Sequence, residues 1–272
     1  MRPLPAVKPR SWLFDLFGDY VELRDRELAT ATIVSLAADF QLGERAIRSA
    51  LLRLQRDGWL KTRRTGIYSA CSLTERGGEL IEEGRRRILQ GPEHSWDGRW
   101  LLVAYSIPEA QREARDKFRR ELGWLGFAGL TNGLFISARD QAHQVVRLSR
   151  RLGLDDNVTL FRAEYDWPGG SRALVDRGWE VQELNREYQQ FLASFAHFVD
   201  ASGLTDQARF VIRFRLINAY RRFPFRDPGL PADLLPPDWR GFAAAELFRR
   251  LHDELAAGAM RYFDQRTAAA AA

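Results

Sequence analysis

The chain has 272 residues, 45% of them apolar and 28% charged, with a net charge of +5. That length allows two or three domains, and the composition fits an ordinary soluble globular protein. No stretch approaches the roughly 18 apolar residues of a membrane span, and no apolar run follows the basic, proline-containing start MRPLPAVKPR, so a cytoplasmic location is expected. The single cysteine, Cys71, excludes an internal disulfide framework and is expected to be a small buried side chain.

In chain order, Ser11–Val21 predicts a first helix with Trp12, Leu13, Leu16, Phe17 and Tyr20 at helical spacing. A second helix is expected from Thr30 or Thr32, either of which suits an N-cap, with Ile33, Leu36, Ala37 and Phe40 inward. Gln41-Leu42-Gly43 is the turn. A third helix, Glu44–Asp57, places Ile47, Ala50, Leu51 and Leu54 on one face, with Arg45, Ser49 and Arg56 opposite, flanked by Arg48 and Arg53. Gly58 stops it. Strands Trp59–Arg64 and Ile67–Leu73, joined at Thr65-Gly66, form a basic hairpin, and Thr74 caps a fourth helix reaching about Gln90. That order matches a winged helix-turn-helix, in which one helix lies in a DNA groove beside a basic wing.

Between Gln41 and Gly66 seven basic residues face only Glu44 and Asp57, so this window carries the whole net charge of +5. A local surplus of that kind reads as a polyanion footprint. Arg45, Arg48, Ser49 and Arg53 are the candidates for the major groove, and Lys61, Arg63 and Arg64 for phosphates at the wing. Leu52 falls on the polar side. A thymine methyl, the wing and a partner subunit are all open as its contact.

Gly91-Pro92 begins a linker, after which the period changes. Strand Trp100–Ser106, helix Pro108–Leu125, strands Phe127–Leu130 and Leu134–Ser137 joined by Asn132-Gly133, helix Asp140–Leu152 and strand Val158–Tyr165 follow. This β-α-β-β-α-β order describes a ferredoxin-like domain. Beyond Trp167-Pro168-Gly169-Gly170 only helices are expected, at Arg177–Ala201, Thr205–Arg222 and Gly241–Gln265, with a proline-rich connection between the last two. The predicted class is therefore α+β: a winged helix at 1–90, a ferredoxin-like domain at 96–166 and an all-α domain at 171–266.

Signals for catalysis are absent from the sequence. His94, His143, His197 and His252 are scattered without ligand spacing, and no phosphate loop or nucleophile elbow is present, so neither metal nor cofactor is expected. Around Phe210, Phe214 and Tyr220, the residues Arg213, Arg215, Arg221 and Arg222 could hold an anionic ligand with an apolar end. The plainer expectation is an amphipathic helix with arginines on its solvated face.

Three blocks resemble the PaaX-type transcriptional repressors. They are SWLFDLFGDYV with ERAIRSALLRLQRDGWL and YSACSLTERG; WDGRWLLVAYSIPE with LGWLGFAGLTNGLFIS; and the proline-dense LINAYRRFPFRDPGLPADLLPPDWRG. The resemblance implies a homodimeric repressor on operator DNA, released by an acyl- or aryl-coenzyme A thioester such as phenylacetyl-coenzyme A. Arg215, Tyr220, Arg221 and Arg222 are then candidates for the effector site, between the C-terminal and middle domains. The middle domain resembles a small CRISPR-associated nuclease, but Ser106 stands where that nuclease carries a metal-binding aspartate. Asn218-Ala219-Tyr220 departs from the family's usual histidine and bulkier residues, so the effector carries over only as a class. A metal-dependent nuclease, and a thioester-binding module without DNA function, are the rival readings.

Overall fold

A computed structural model of the chain describes residues 7–21, 27–65, 68–89, 96–166, 170–199 and 203–268. Its helices and strands run α1 (Pro9–Leu16), β1 (Leu28–Ala29), α2 (Thr30–Ala38), α3 (Glu44–Arg56), β2 (Leu60–Thr65), β3 (Tyr68–Leu73) and α4 (Glu75–Leu89). They continue with β4 (Trp100–Tyr105), α5 (Arg112–Trp124), β5 (Ala128–Thr131), β6 (Leu134–Ser137), α6 (Ala142–Leu152) and β7 (Val158–Ala163). The remainder is α7 (Gly170–Gly178), α8 (Val181–Phe195), α9 (Asp206–Tyr220) and α10 (Gly241–Ala268). No helix among the described residues is long and apolar enough to cross a membrane. The class is α+β, as expected. The turn residue Gly66, the Gly91-Pro92 linker and the break at Trp167-Pro168-Gly169 lie outside the described residues.

Two compact units emerge, one of Met1–Gln90, Gln190–Arg222 and Ala243–Ala272, the other of Gly91–Gln189 and Phe223–Phe242. The helical segment 171–266 is thus divided between them. In the first unit, Trp12, Leu13, Leu16, Phe17, Tyr20, Ile33, Leu36, Ala37, Phe40, Ile47, Ala50, Leu51 and Leu54 are all buried, which bears out the inward positions read from sequence, although Phe40 lies in the turn beyond the end of α2 at Ala38. The core does not close with them. Phe210 and Phe214 of α9 and Ala259 and Phe263 of α10 belong to the same cluster. The Phe214 ring stacks on Trp12 at 5.4 Å and on Tyr20 at 6.1 Å, and lies 4.8 Å from Phe40.

Local chemistry sets most element ends. Gly58, at φ +77°, ends α3, and the Trp59 N–H closes back on the Leu54 carbonyl at 2.9 Å, a Schellman-type stop. The Thr74 hydroxyl accepts the Gly77 N–H at 3.1 Å to cap α4 and donates to the Gly58 carbonyl at 2.7 Å. Two expectations are corrected. The first helix is α-helical only to Leu16, and Phe17–Val21 forms a π-turn. Neither Thr30 nor Thr32 caps α2: Ala29 holds the cap position because the chain enters directly from β1, leaving the Thr30 hydroxyl to bond Ser69 at 2.8 Å and Thr32 buried.

The second unit carries an antiparallel sheet of order β5-β6-β4-β7, the strand order of a ferredoxin-like sandwich. Gly133, at φ +104°, makes the two-residue turn between β5 and β6. Successive strand residues point to opposite faces, so Leu101, Val103 and Phe135 pack with Phe118 and Leu122 of α5 and Val145 and Leu148 of α6. On the other face Trp100, Ala128 and Ile136 meet Leu174 and Val175 of α7 and Leu230, Leu234 and Leu235 of the proline-rich connection. The helix expected at Arg177–Ala201 is interrupted at Trp179-Glu180, where the Trp179 indole stacks on Trp100 at 5.9 Å and donates to the Gly126 carbonyl at 3.0 Å. Similarly, the helix expected from Pro108 begins as a 3-10 turn, Glu109–Gln111, before α5.

Truncating a fully buried Phe removes its transfer energy and leaves a cavity, typically costing about 3–5 kcal/mol. We expect Phe214→Ala to destabilise the N-terminal helices by that amount, and residues 1–90 expressed alone to lack a cooperative urea transition, because their core lacks the α9 and α10 rings.

Candidate nucleic-acid interface

Helix α3 is a two-sided element. Ile47, Ala50, Leu51 and Leu54 are buried, and Arg45, Arg48, Ser49, Leu52, Arg53 and Arg56 are exposed. The exposed set recurs at intervals of three and four residues, so it forms one continuous stripe. Thirteen residues at 1.5 Å each give that stripe a length of about 20 Å. The four groove candidates Arg45, Arg48, Ser49 and Arg53 therefore lie together. Arg56 completes the row and is a member that the sequence selection left out, although its spacing from Leu52 and Arg53 signals it. Glu44 is the one acid at the stripe's start and pairs with Arg48 at 2.7 Å.

The hairpin candidates divide. Strand alternation puts Lys61 and Arg63 on one face of β2 and Arg64 on the other, with Thr62. Thr62 accepts from the Gln55 side chain of α3, so Arg64 shares the sheet face that meets the basic helix. All three basic side chains are exposed. Arg63 is already engaged: its guanidinium donates to Glu27 at 2.9 and 2.6 Å, just before β1. That contact raises the Arg63 pKa and lowers that of Glu27. Sequence alone gives no sign of this pair, whose members are 36 positions apart. Cys71 is buried in β3, as expected.

The arginines of α9 behave differently. Arg213 is only 3% exposed, against the expectation of a solvated face, and is paired with Asp19 of the π-turn. It also donates to the His252 carbonyl at 3.0 Å and lies 2.7 Å from the His252 ring nitrogen. Arg221 is held by Asp15 at 3.1 Å and by Ser11, and Asn218 donates to the same two residues at 2.6 and 2.7 Å. Burial raises the Asp15 pKa to about 6, against the opposing pull of Arg221 and Asn218. Tyr220 is buried and stacks on Phe248 at 4.1 Å. Of the four effector candidates, Tyr220 and Arg221 are thus built into the first unit's interior packing, Arg215 is half-buried and Arg222 exposed.

Among the described residues no cluster of histidine, cysteine or carboxylate side chains could hold a metal ion. Ser106, just after β4, is exposed; its N–H donates to the Asn157 carbonyl and its carbonyl accepts the Asn157 amide at 2.8 Å.

The fold and this surface place the chain among two-unit α+β proteins that carry a basic helix beside a basic hairpin. Comparison with known proteins narrows the class. Family models described as PaaX-like protein, PaaX protein central Cas2-like domain and PaaX-like protein C-terminal domain match residues 8–77, 93–175 and 179–265. The transcriptional repressor PaaX of Escherichia coli (strain K12) is 31% identical over 268 residues, covering 96% of this chain and 84% of that protein. The chain belongs to the PaaX family. That kinship supports a transcriptional repressor rather than an enzyme. The structure of an uncharacterised Mycobacterium tuberculosis protein, Rv0674, matches with a TM-score of 0.60 at 20% identity, over 97% of this chain and 99% of that one, and shows the shared fold.

Two outcomes are expected. Glu27→Gln removes a carboxylate, and with it the ion pair to Arg63, from the basic surface, so it should tighten binding of any duplex several-fold, as read by fluorescence anisotropy at low salt. A second concerns pH. Burial, then the charge of Arg213, lowers the His252 pKa from 6.5 to about 4, although Asp253 pulls it upward. The unfolded chain therefore binds a proton that the folded one refuses, and this group's contribution to stability falls as pH drops from about 6.5 towards 4. Asp15, raised from 3.8 to about 6, acts in the opposite sense over much of the same range. Urea midpoints at pH 7 and pH 5 should thus show a smaller acid loss for His252→Gln than for the unaltered protein.

Proposed function

We propose that this chain is a cytoplasmic transcriptional repressor that binds operator DNA as a homodimer through a winged helix-turn-helix formed by α2, α3 and the β2–β3 hairpin. The observation that carries the reading is the α3 stripe, in which Arg45, Arg48, Ser49, Arg53 and Arg56 are exposed along one helix face. Guanidinium groups can grip phosphate through a fork and contact guanine bidentately, and α3 has the length to lie in a major groove. Lys61 and Arg64, with Arg63 once it exchanges Glu27 for a phosphate, hold the DNA backbone and set register. Two such heads related by a two-fold axis would read half-sites about one helical turn apart, or a multiple of it.

An acyl- or aryl-coenzyme A thioester is the proposed effector, on the strength of the family kinship. If it engages Arg221, it must take that side chain from Asp15 and Ser11, contacts that hold α9 against α1. Such a ligand shifts DNA affinity only by its preference for the state in which those contacts are exchanged.

Gel shifts on the intergenic DNA beside its own gene, with and without coenzyme A thioesters and with free acids as controls, test the reading. Arg48→Ala should lose about 1–3 kcal/mol on the cognate site and far less on random DNA. Arg64→Ala should lower the salt slope by about one on either. Failure to shift any fragment at low salt would return the chain to a module without DNA function.

A further inference from the structure

Leu52 is 65% exposed in the middle of the α3 stripe. Its helical neighbours at three and four positions are Arg48, Ser49, Gln55 and Arg56, with Arg45 and Arg53 along the same row, and together with Glu44 most of these line one shallow surface. The described residues of the hairpin do not cover it. Single exposed leucines are common on protein surfaces, and exposure alone assigns no role. The surroundings do. An apolar protein partner seated on Leu52 would strip water from the flanking guanidinium groups without compensating their charge, a costly burial. A DNA major groove compensates those charges and offers one apolar group on its base edges, the C5-methyl of thymine.

We infer that Leu52 is a specificity-determining residue that reads a thymine methyl in the operator while the arginines on either side hold guanine or phosphate. The inference rests on the DNA-binding reading above. It commits α3 to a groove-facing register in which Leu52 sits against the base edges, so that the site it selects contains a thymine that uracil or cytosine replaces poorly. Arginine contacts alone would select guanine and leave such a position degenerate.

The test uses the full chain and a duplex selected by it from a random pool. Each thymine in that duplex is replaced singly by uracil, which removes only the methyl group, and affinity is measured at fixed salt for the unaltered protein, Leu52→Ala and Leu52→Gln. One or two positions should weaken the unaltered protein about fourfold, the weight of one buried methyl. Both variants should bind the thymine duplex more weakly by a similar factor and be indifferent to uracil at those same positions. Equal uracil effects in all three proteins, or no uracil effect in any, would overturn the role of Leu52 while leaving DNA binding intact. If no duplex is selected at all, the DNA reading fails and this one with it.

Discussion

The stack of Phe214 on Trp12 and Tyr20 is the contact on which the first unit depends. The N-terminal segment contributes the four helices α1–α4 and a three-stranded sheet, a small assembly whose core includes aromatic volume from later in the chain. Phe210 and Phe214 supply it from α9, and Phe263 from α10. Polar ties surround this apolar plug: Gln207 to Asp39, Tyr262 to Asp39, Arg266 to Ser35 and Arg261 to Asp206. The orientation of α3 is therefore set through α1 and α2 by residues nearly two hundred positions later in the chain. A change in how α9 lies on α1 has a direct physical route to the exposed stripe, through packed rings and not through a flexible linker.

Arginine serves two opposite purposes in this unit. On α3 the guanidinium groups stand in water, and their apolar counterparts Ile47, Leu51 and Leu54 do the packing. On α9 the rows are not separated in this way. Arg213 enters the interior because Asp19 and the His252 carbonyl meet it there, and Arg221 is drawn down by Asp15. An unpaired charge at either place would be expensive, and each has a partner that offsets desolvation. The same residue type thus reads as a surface ligand in one helix and as an internal strut in another, and the difference lies in what the opposing helix presents.

In the second unit, the ferredoxin-like sheet has a covered face that the βαββαβ pattern itself does not supply. Helices α5 and α6 close one side in the ordinary way. The other is closed by α7 and by the proline-rich connection, with Leu230, Leu234 and Leu235 inserted against Trp100 and Ile136. Further bonds anchor this connection: Tyr188 stacks on Phe223 and donates to Asp227 at 2.7 Å, Arg226 meets Glu187 at 2.6 Å, and the Arg240 N–H reaches Asn185 at 2.8 Å. The density of prolines, the most specific mark of family membership in the sequence, corresponds to a segment that packs without regular helix or strand for most of its length.

What the sequence determined by itself is local. The three- and four-residue recurrence of Ile47, Ala50, Leu51 and Leu54 defined α3 and, by subtraction, its basic face. Gly58, Asn132-Gly133 and Thr74 marked ends and turns, because φ preference and side-chain capping act within a few residues. The ferredoxin-like order followed from strand and helix periods alone. Tertiary structure decided whatever depends on partners far along the chain: that the α9 and α10 rings complete the N-terminal core, that Arg213 turns inward, that Glu27 occupies Arg63, and that Ala29 rather than a threonine opens α2. It also narrowed the matter of Leu52, which the pattern left open between hairpin, partner and base. Its exposure among arginines removes the described hairpin residues as its cover, since an apolar side chain covered by them would have been drawn out of water.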